Sequence, residues 1–234
     1  MKGFTFLVAI IMLAMPAMAL ADEPVSQDRQ VAGFDRIEVN GSYDVYLTQG
    51  KDFALRIVAE PDVLEKIKTE VKDGRLVISE NKHKIQIGVA KKRTRKVYVT
   101  LPEIKGLCIN GSADVNGQNR ITTGSFDLKI RGSGDIDMEV AAKEIEAGIS
   151  GSGDIKLKGN ADDFAITIAG SGDVSAYDLA SQKTTVNISG AGDCKVNAEQ
   201  ELTVNITGSG DVSYRGSPKV MMKNVAGAGR VRKE

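Results

Sequence analysis

From about residue 107 onward, apolar and polar positions follow one pattern that restarts about every 19 residues. Counted from Asp114, Asp135, Asp154, Asp173, Asp193 and Asp211, with Arg230 at the next equivalent place, the steps are 21, 19, 19, 20, 18 and 19 residues. An earlier copy has its origin at Asp44. A period held this closely marks a solenoid. Five places before each origin the residue is β-branched, as in Val39, Ile109, Ile130, Ile149, Ile168, Ile188, Ile206 and Val225. One place after it stands a small apolar residue: Val45, Val115, Ile136, Ile155, Val174, Cys194, Val212 or Val231.

Around these columns the chain alternates, as in "ITIAG" and "VNISG" before the origin and "DIDMEV" after it. Strict alternation is the mark of a strand with one buried face. Two such strands joined at a glycine corner, with no helical crossover between repeats, require the chain to coil so that like strands stack about 4.8 Å apart. The pattern predicts an all-β parallel β-helix of eight rungs or more, on the order of 40 Å long.

The corner reads Gly-Ser-Gly-Asp or Gly-Ala-Gly-Asp: Gly132, Gly134 and Asp135; Gly151, Gly153 and Asp154; Gly170, Gly172 and Asp173; Gly190, Gly192 and Asp193; Gly208, Gly210 and Asp211. Glycine permits positive φ and lets successive turns stack closely. The aspartate is expected to accept hydrogen bonds from backbone N–H groups of its own turn. These residues are therefore predicted to be structural corners.

The front third is atypical. "EPDVLEKIKTEVKDG", residues 60–74, places Val63, Leu64, Ile67 and Val71 at helical spacing, with Pro61 near the start and Gly74 near the end. It predicts a short helical insertion covering the open end of the stack, followed by the strands "RLVISE", "KIQIGVA" and "KVYVTLP". Between Lys82 and Lys96 the chain carries Lys82, Lys84, Lys91, Lys92, Arg93, Arg95 and Lys96 with no acid. Charge runs are usually solvated edges; the functional alternative is an anion-binding patch for lipopolysaccharide, teichoic acid or an acidic glycan.

Composition narrows the field. Aromatic residues make up 5% and tryptophan is absent, which favours a thin layered core over a large aromatic one. The formal net charge is +0, against a nucleic-acid binder. Residues 1–21, with Lys2, an apolar run and the ending Ala19-Leu20-Ala21, read as a signal peptide. They leave residues 22–234 as one β-helix domain, atypical over 22–106 and regular over 107–234, with no transmembrane segment. Cys108 falls in an outward column and Cys194 in an inward one, several rungs apart, so both are expected as free thiols. His83 is the only histidine, no residues stand at metal-ligand spacing, and no cofactor is expected. A calcium ladder would lack oxygens, because each corner has one aspartate. Asp135, Asp137 and Glu139 form an outward acidic row of the kind soluble strands carry, so no catalytic residue is assigned.

These columns, with "FDRIEVNGSYDVYLTQG", "VLEKIKTEVKDGRLVIS" and "VYVTLPEIKGLCINGSADV", resemble the DUF2807 family, the auto-transporter adhesin head GIN domain, over residues 33–232. The resemblance implies a right-handed parallel β-helix exported by Gram-negative bacteria to the periplasm or cell surface, without established catalytic residues. It points to a non-enzymatic module binding a cell-surface glycan or envelope protein. A self-associating scaffold joined through exposed strand edges is the alternative, so an oligomer is permitted; a carbohydrate-active enzyme comes third.

Overall fold

The computed structural model describes residues 23–81 and 93–234. Residues 1–21, Lys82, His83, Lys84, Lys91, Lys92 and the "KIQIGVA" segment lie outside the described residues. The elements are, in chain order, β1 (Val25–Arg29), β2 (Arg36–Gly41), β3 (Asp44–Gln49), β4 (Ala54–Ala59), α1 (Pro61–Leu64), β5 (Ile67–Lys72), β6 (Arg75–Glu80), β7 (Arg95–Leu101), β8 (Gly106–Gly111), β9 (Asp114–Gly117), β10 (Ile121–Gly132), β11 (Ile136–Gly151), β12 (Ile155–Gly170), β13 (Val174–Gly190), β14 (Cys194–Gly208), β15 (Val212–Arg215), β16 (Val220–Gly227) and β17 (Val231–Lys233). Together they coil into a β-solenoid of about 7 turns spaced about 19 residues apart, rather than the eight or more rungs that counting motifs predicts.

Two stacks of strands run the length of the coil. Before the corner, the order is β5-β6-β2-β8-β10-β11-β12-β13-β14-β16. After the corner, it is β1-β4-β7-β3-β9-β11-β12-β13-β14-β15-β17. The repeat is written into the register: Ile136 pairs with Ile155, Ile155 with Val174, and Val174 with Cys194. Inward columns stay inward for this reason, and their side chains form one continuous buried core from Phe34 to Val212. The polar pair Ser181 and Thr184 is also buried, and it is satisfied internally: the hydroxyls lie 2.5 Å apart and Ser181 donates to the Asn197 carbonyl at 3.0 Å. The long step from Asp173 to Asp193 is absorbed by register shifts between β13 and β14. That rung also presents Tyr177, on whose ring the Arg215 guanidinium sits at 4.2 Å.

The front third differs from the helix that residues 60–74 predict. Helix α1 stops after four residues, and Ile67–Lys72 forms β5, antiparallel to β6. The physical reason lies in "KDG": Asp73 and Gly74 have φ of 50° and 72°, the conformation of a two-residue hairpin turn. Ile67, Thr69 and Val71 alternate with Lys68, Glu70 and Lys72, and β-branched residues favour strands. Rung order is also not sequence order, since β2 lies between β6 and β8, and β3 between β7 and β9. The chain makes its first rung, builds the end cap beyond it, then crosses back and continues on the other side.

The two ends are finished differently. At the front, the edges are the antiparallel strands β5 and β1. At the back, β16 follows the regular coil, but its Val220, Met221, Met222 and Val225 are exposed. Lys223 pairs with Val204 of β14, so a charge stands in a column that is apolar in the preceding rungs. An inward-column charge on an outer strand discourages further strand addition.

Candidate functional site

The corners stack as closely as glycine permits. Gly151 has φ +137°, and a Cβ built on it would overlap the carbonyl oxygen of Gly132 in the preceding rung. Gly153 stands over Gly134 in the same way. Between them, Ser152 N–H donates to that Gly132 oxygen at 2.9 Å, a bond repeated along the column from Ser171 to Gly151 and from Ser209 to Gly190.

The aspartates do something that no single repeat reveals. From Asp114 to Asp211 each carboxylate Oδ1 accepts from the backbone N–H of the equivalent residue in the next rung, where a bond within its own turn was expected. Asp154 N–H donates to Asp135 at 3.0 Å, Asp173 to Asp154 at 2.9 Å, Asp193 to Asp173 at 2.7 Å and Asp211 to Asp193 at 2.8 Å. The first member is looser, with Asp135 N–H at 3.3 Å from Asp114. Arg230 closes the series. Its N–H donates to Asp211 Oδ1 at 2.9 Å and its guanidinium reaches Oδ2 at 2.8 Å, holding the Asp211 carboxyl below its usual range. At the other end, Lys96 stands opposite Asp44 in register.

A stack of like charges is thus held together by backbone donors and finished with a cation, as charge-assisted hydrogen bonding allows. Burial and then the charges of Asp135 and Asp44 push Asp114 up, against the lowering effect of the bond from Asp135 N–H. A carboxyl raised in the folded state binds its proton more tightly there than in the unfolded chain. Stability therefore rises as pH falls through the folded pKa of Asp114, and the charge costs stability above it. Asp114→Asn keeps the acceptor oxygen and is expected to gain at most about 0.5 kcal/mol at neutral pH, since the site is exposed and screened. Urea titrations at pH 4 and pH 7 would measure this. A loss at pH 7 would mean that the carboxylate itself holds the corner.

Beside the aspartate column runs a groove of about 510 Å³, lined by Asp114, Asn116, Asp135, Asp154, Lys156, Asp173, Ser175, Asp193 and Lys195 among others. The recorded backbone bonds use Oδ1, so a second carboxylate oxygen remains on Asp135, Asp154, Asp173 and Asp193. Asp137 is paired with Lys156 at 3.0 Å, and Glu139 lies 3.8 Å from Lys158. Beyond Asn116, the column continues in the stacked rings of Tyr46 and Tyr98, 4.8 Å apart. No group of three or more His, Cys, Asp or Glu poised for a metal ion occurs among the described residues.

The expected basic patch is only partly described. Arg93 pairs with Asp62 at 2.9 Å and Arg95 with Glu80 at 3.0 Å, so these two charges are neutralised locally. Cys108 is half-buried and Cys194 buried, and neither is bonded to the other. Burial pushes the Cys194 thiol up, as expected of a small core residue.

The fold and groove define a class: a β-solenoid with a long polar outer surface. The chain belongs to the DUF2807 family, described as "putative auto-transporter adhesin, head GIN domain", whose model matches residues 33–218. Among solved structures, a "putative adhesin" from Bacteroides fragilis NCTC 9343 is 27% identical with a TM-score of 0.86, covering 92% of this chain and 98% of that one. A "putative lipid binding protein" from Parabacteroides distasonis ATCC 8503 is 25% identical with a TM-score of 0.70, covering 91% and 97%. A third, a "putative adhesin" from Parabacteroides merdae ATCC 43184, is 20% identical with a TM-score of 0.71, covers 91% and 96%, and shares the fold. No functionally curated protein matches. Family and neighbours mark an adhesion-like module, and no helix among the described residues is long and apolar enough to cross a membrane.

Proposed function

We propose that the protein is an exported, non-enzymatic β-solenoid of the bacterial envelope, periplasmic or at the cell surface, that binds an envelope glycan along the groove beside its aspartate column. Residues 1–21 supply the export signal on this reading, and residues 22–234 the binding domain. One observation carries it: a groove several rungs long presents carboxylate oxygens at repeating intervals, beside Asn116, Lys156, Ser175 and Lys195. Carboxylates accept hydrogen bonds from sugar hydroxyls, while amide and ammonium groups donate to ring and hydroxyl oxygens. Strand stacking sets the interval at about 4.8 Å, which suits a polymer of repeating units better than a compact small molecule. The pairing of Asp137 and Glu139 with lysines supports a binding role over catalysis.

Thermal unfolding in EDTA, in calcium and with a panel of envelope glycans tests this, because a ligand of the folded state raises the midpoint by mass action. A rise with glycan and none with calcium is expected. A rise with calcium would turn the aspartate column into a metal ladder. No response to any glycan, together with a size that grows with concentration, would favour the self-associating scaffold, against which Lys223 on the last long strand argues.

A further inference from the structure

A different outer surface, built from the strand segments before the corner, carries a second feature that the glycan groove does not use. Outward positions there line up across rungs: Arg36, Gly106 and Asp127 in one row, Glu38, Cys108 and Lys129 in the next, Asn40, Asn110 and Arg131 in the third. Gly106 contributes no side chain and Cys108 a short one, so a hollow of about 140 Å³ opens between the longer neighbours. Its floor is Gly106, Leu107 and Cys108, and its rim is Arg36, Arg75, Lys129 and Arg131 with Asp127. Arg75 joins the rim because β6 is the neighbour of β2 in space.

Charge accounting shows what the hollow lacks. Arg75 is paired with Glu38 at 2.8 Å, and Lys129 with Asp127 at 2.7 Å. Arg36 reaches Asp35 and Asp127 only at 4.0 Å, and its side chain lies over Gly106. Among the described residues, Arg131 contacts no carboxylate. Its guanidinium donates to Cys108 Sγ and to Asn110 Oδ1, both at 3.3 Å. Asp35 is held closely by Lys105 at 2.9 Å, so Arg36 keeps only its two long ion pairs while Arg75 and Lys129 are closely paired. Although burial works to raise the Glu38 carboxyl, hydrogen bonds from Arg75 and Asn40 and the charges of Arg75 and Arg131 hold it below its usual range.

The hollow opens onto a shallow trough of about 440 Å³ that shares Asp127, Lys129 and Arg131 with it and continues over Gly148, Ala165, Thr167 and Ala169. The trough is lined mainly by small side chains, with Ser150 and Thr167 as its hydroxyls and Glu146 as an acid away from the rim arginines, and it runs across several rungs. The large exposed apolar side chains, Val25, Tyr98, Val220, Met221, Met222 and Val225, line neither the hollow nor the trough, so this surface offers no wedge for a bilayer.

We propose that the hollow bounded by Arg36, Arg75, Lys129 and Arg131 is an oxyanion site, and that it takes a carboxylate or phosphate substituent of an acidic polysaccharide whose chain lies along the adjoining trough. Guanidinium groups suit such oxyanions because they present paired N–H donors in a plane. The two arginines without a close carboxylate partner, Arg36 and Arg131, supply the donors, while Arg75 and Lys129 remain in their ion pairs and add field.

The test measures binding of the protein to polygalacturonate, to uncharged dextran and to phosphatidylglycerol vesicles, with the double variant Arg36→Ala/Arg131→Ala, the groove variant Lys195→Ala and the control Lys183→Ala, whose exposed side chain lines neither the groove, the hollow nor the trough. Polygalacturonate is expected to bind more tightly than dextran, to weaken with salt, and to lose about tenfold or more in affinity in the double variant, as loss of charged hydrogen bonds predicts. Lys183→Ala should leave it unchanged. Since both arginines are exposed, folding of the variant is checked by its unaltered unfolding midpoint. Equal binding of polygalacturonate by wild type and double variant would overturn the site while leaving the groove reading intact. Loss in Lys195→Ala alone would assign acidic glycan to the groove and also overturn the site. Binding to vesicles without binding to polygalacturonate would overturn the choice of a polysaccharide in favour of a lipid headgroup. No binding to any probe would overturn the site.

Discussion

Gly151→Ala is expected to destabilise the protein by at least about 3 kcal/mol, whereas Gly148→Ala, three residues earlier on the same strand, should change stability by less than about 1 kcal/mol. Gly151 has φ +137°, a region that side chains strongly disfavour, and the new methyl would overlap the Gly132 carbonyl oxygen. That oxygen accepts the Ser152 N–H, so it cannot retreat without opening the junction between rungs. Conformational strain of about 1–3 kcal/mol and overpacking of similar size then add. At Gly148, by contrast, the nearest atoms to a built Cβ are 3.8 Å away, and alanine loses less conformational freedom in a strand than glycine does. Urea denaturation of both variants decides it. A small effect at Gly151 would mean that the rungs can spread, and that the close corner stack is not what holds the coil.

Phe164→Ala should cost about 3–5 kcal/mol and Phe164→Leu less than about 1.5 kcal/mol. Phe164 is buried between Ile145 of the rung on one side and Thr184 on the other. Truncation leaves a void whose walls are set by backbone ladders on both sides, so collapse around it is limited. Because each rung touches only its neighbours, the loss is local and should split the unfolding transition. Denaturation followed by tyrosine fluorescence and by circular dichroism would show the two signals separating. Coincident curves with a small shift would mean that the core closes over the gap.

The same nearest-neighbour logic explains which parts of the structure could be read in advance. Period, inward columns and corners are local patterns repeated many times, and the opposite orientations of Cys108 and Cys194 followed from register alone. The hairpin of β5 and β6 was less legible because Val63, Leu64, Ile67 and Val71 satisfy a helical spacing, while the strand alternation and the Asp73-Gly74 turn compete with it. The aspartate bonds escaped a reading confined to one motif, since donor and acceptor lie 18–21 residues apart. The oxyanion hollow was half legible. Aligning the outward columns brings Arg36, Lys129 and Arg131 together across Gly106 and Cys108, but Arg75 enters only through the placement of β6 beyond β2, which no periodicity encodes.

The placement of β1 and β17 at opposite ends of one stack has a mechanical consequence. A pull between these strands acts along the coil axis, in line with the hydrogen bonds and across the strands. The ladder is then opened one rung at a time, as a zipper is, instead of being sheared all at once. Under load, such geometry gives way gradually from its terminal turns and lengthens while the middle of the coil remains folded.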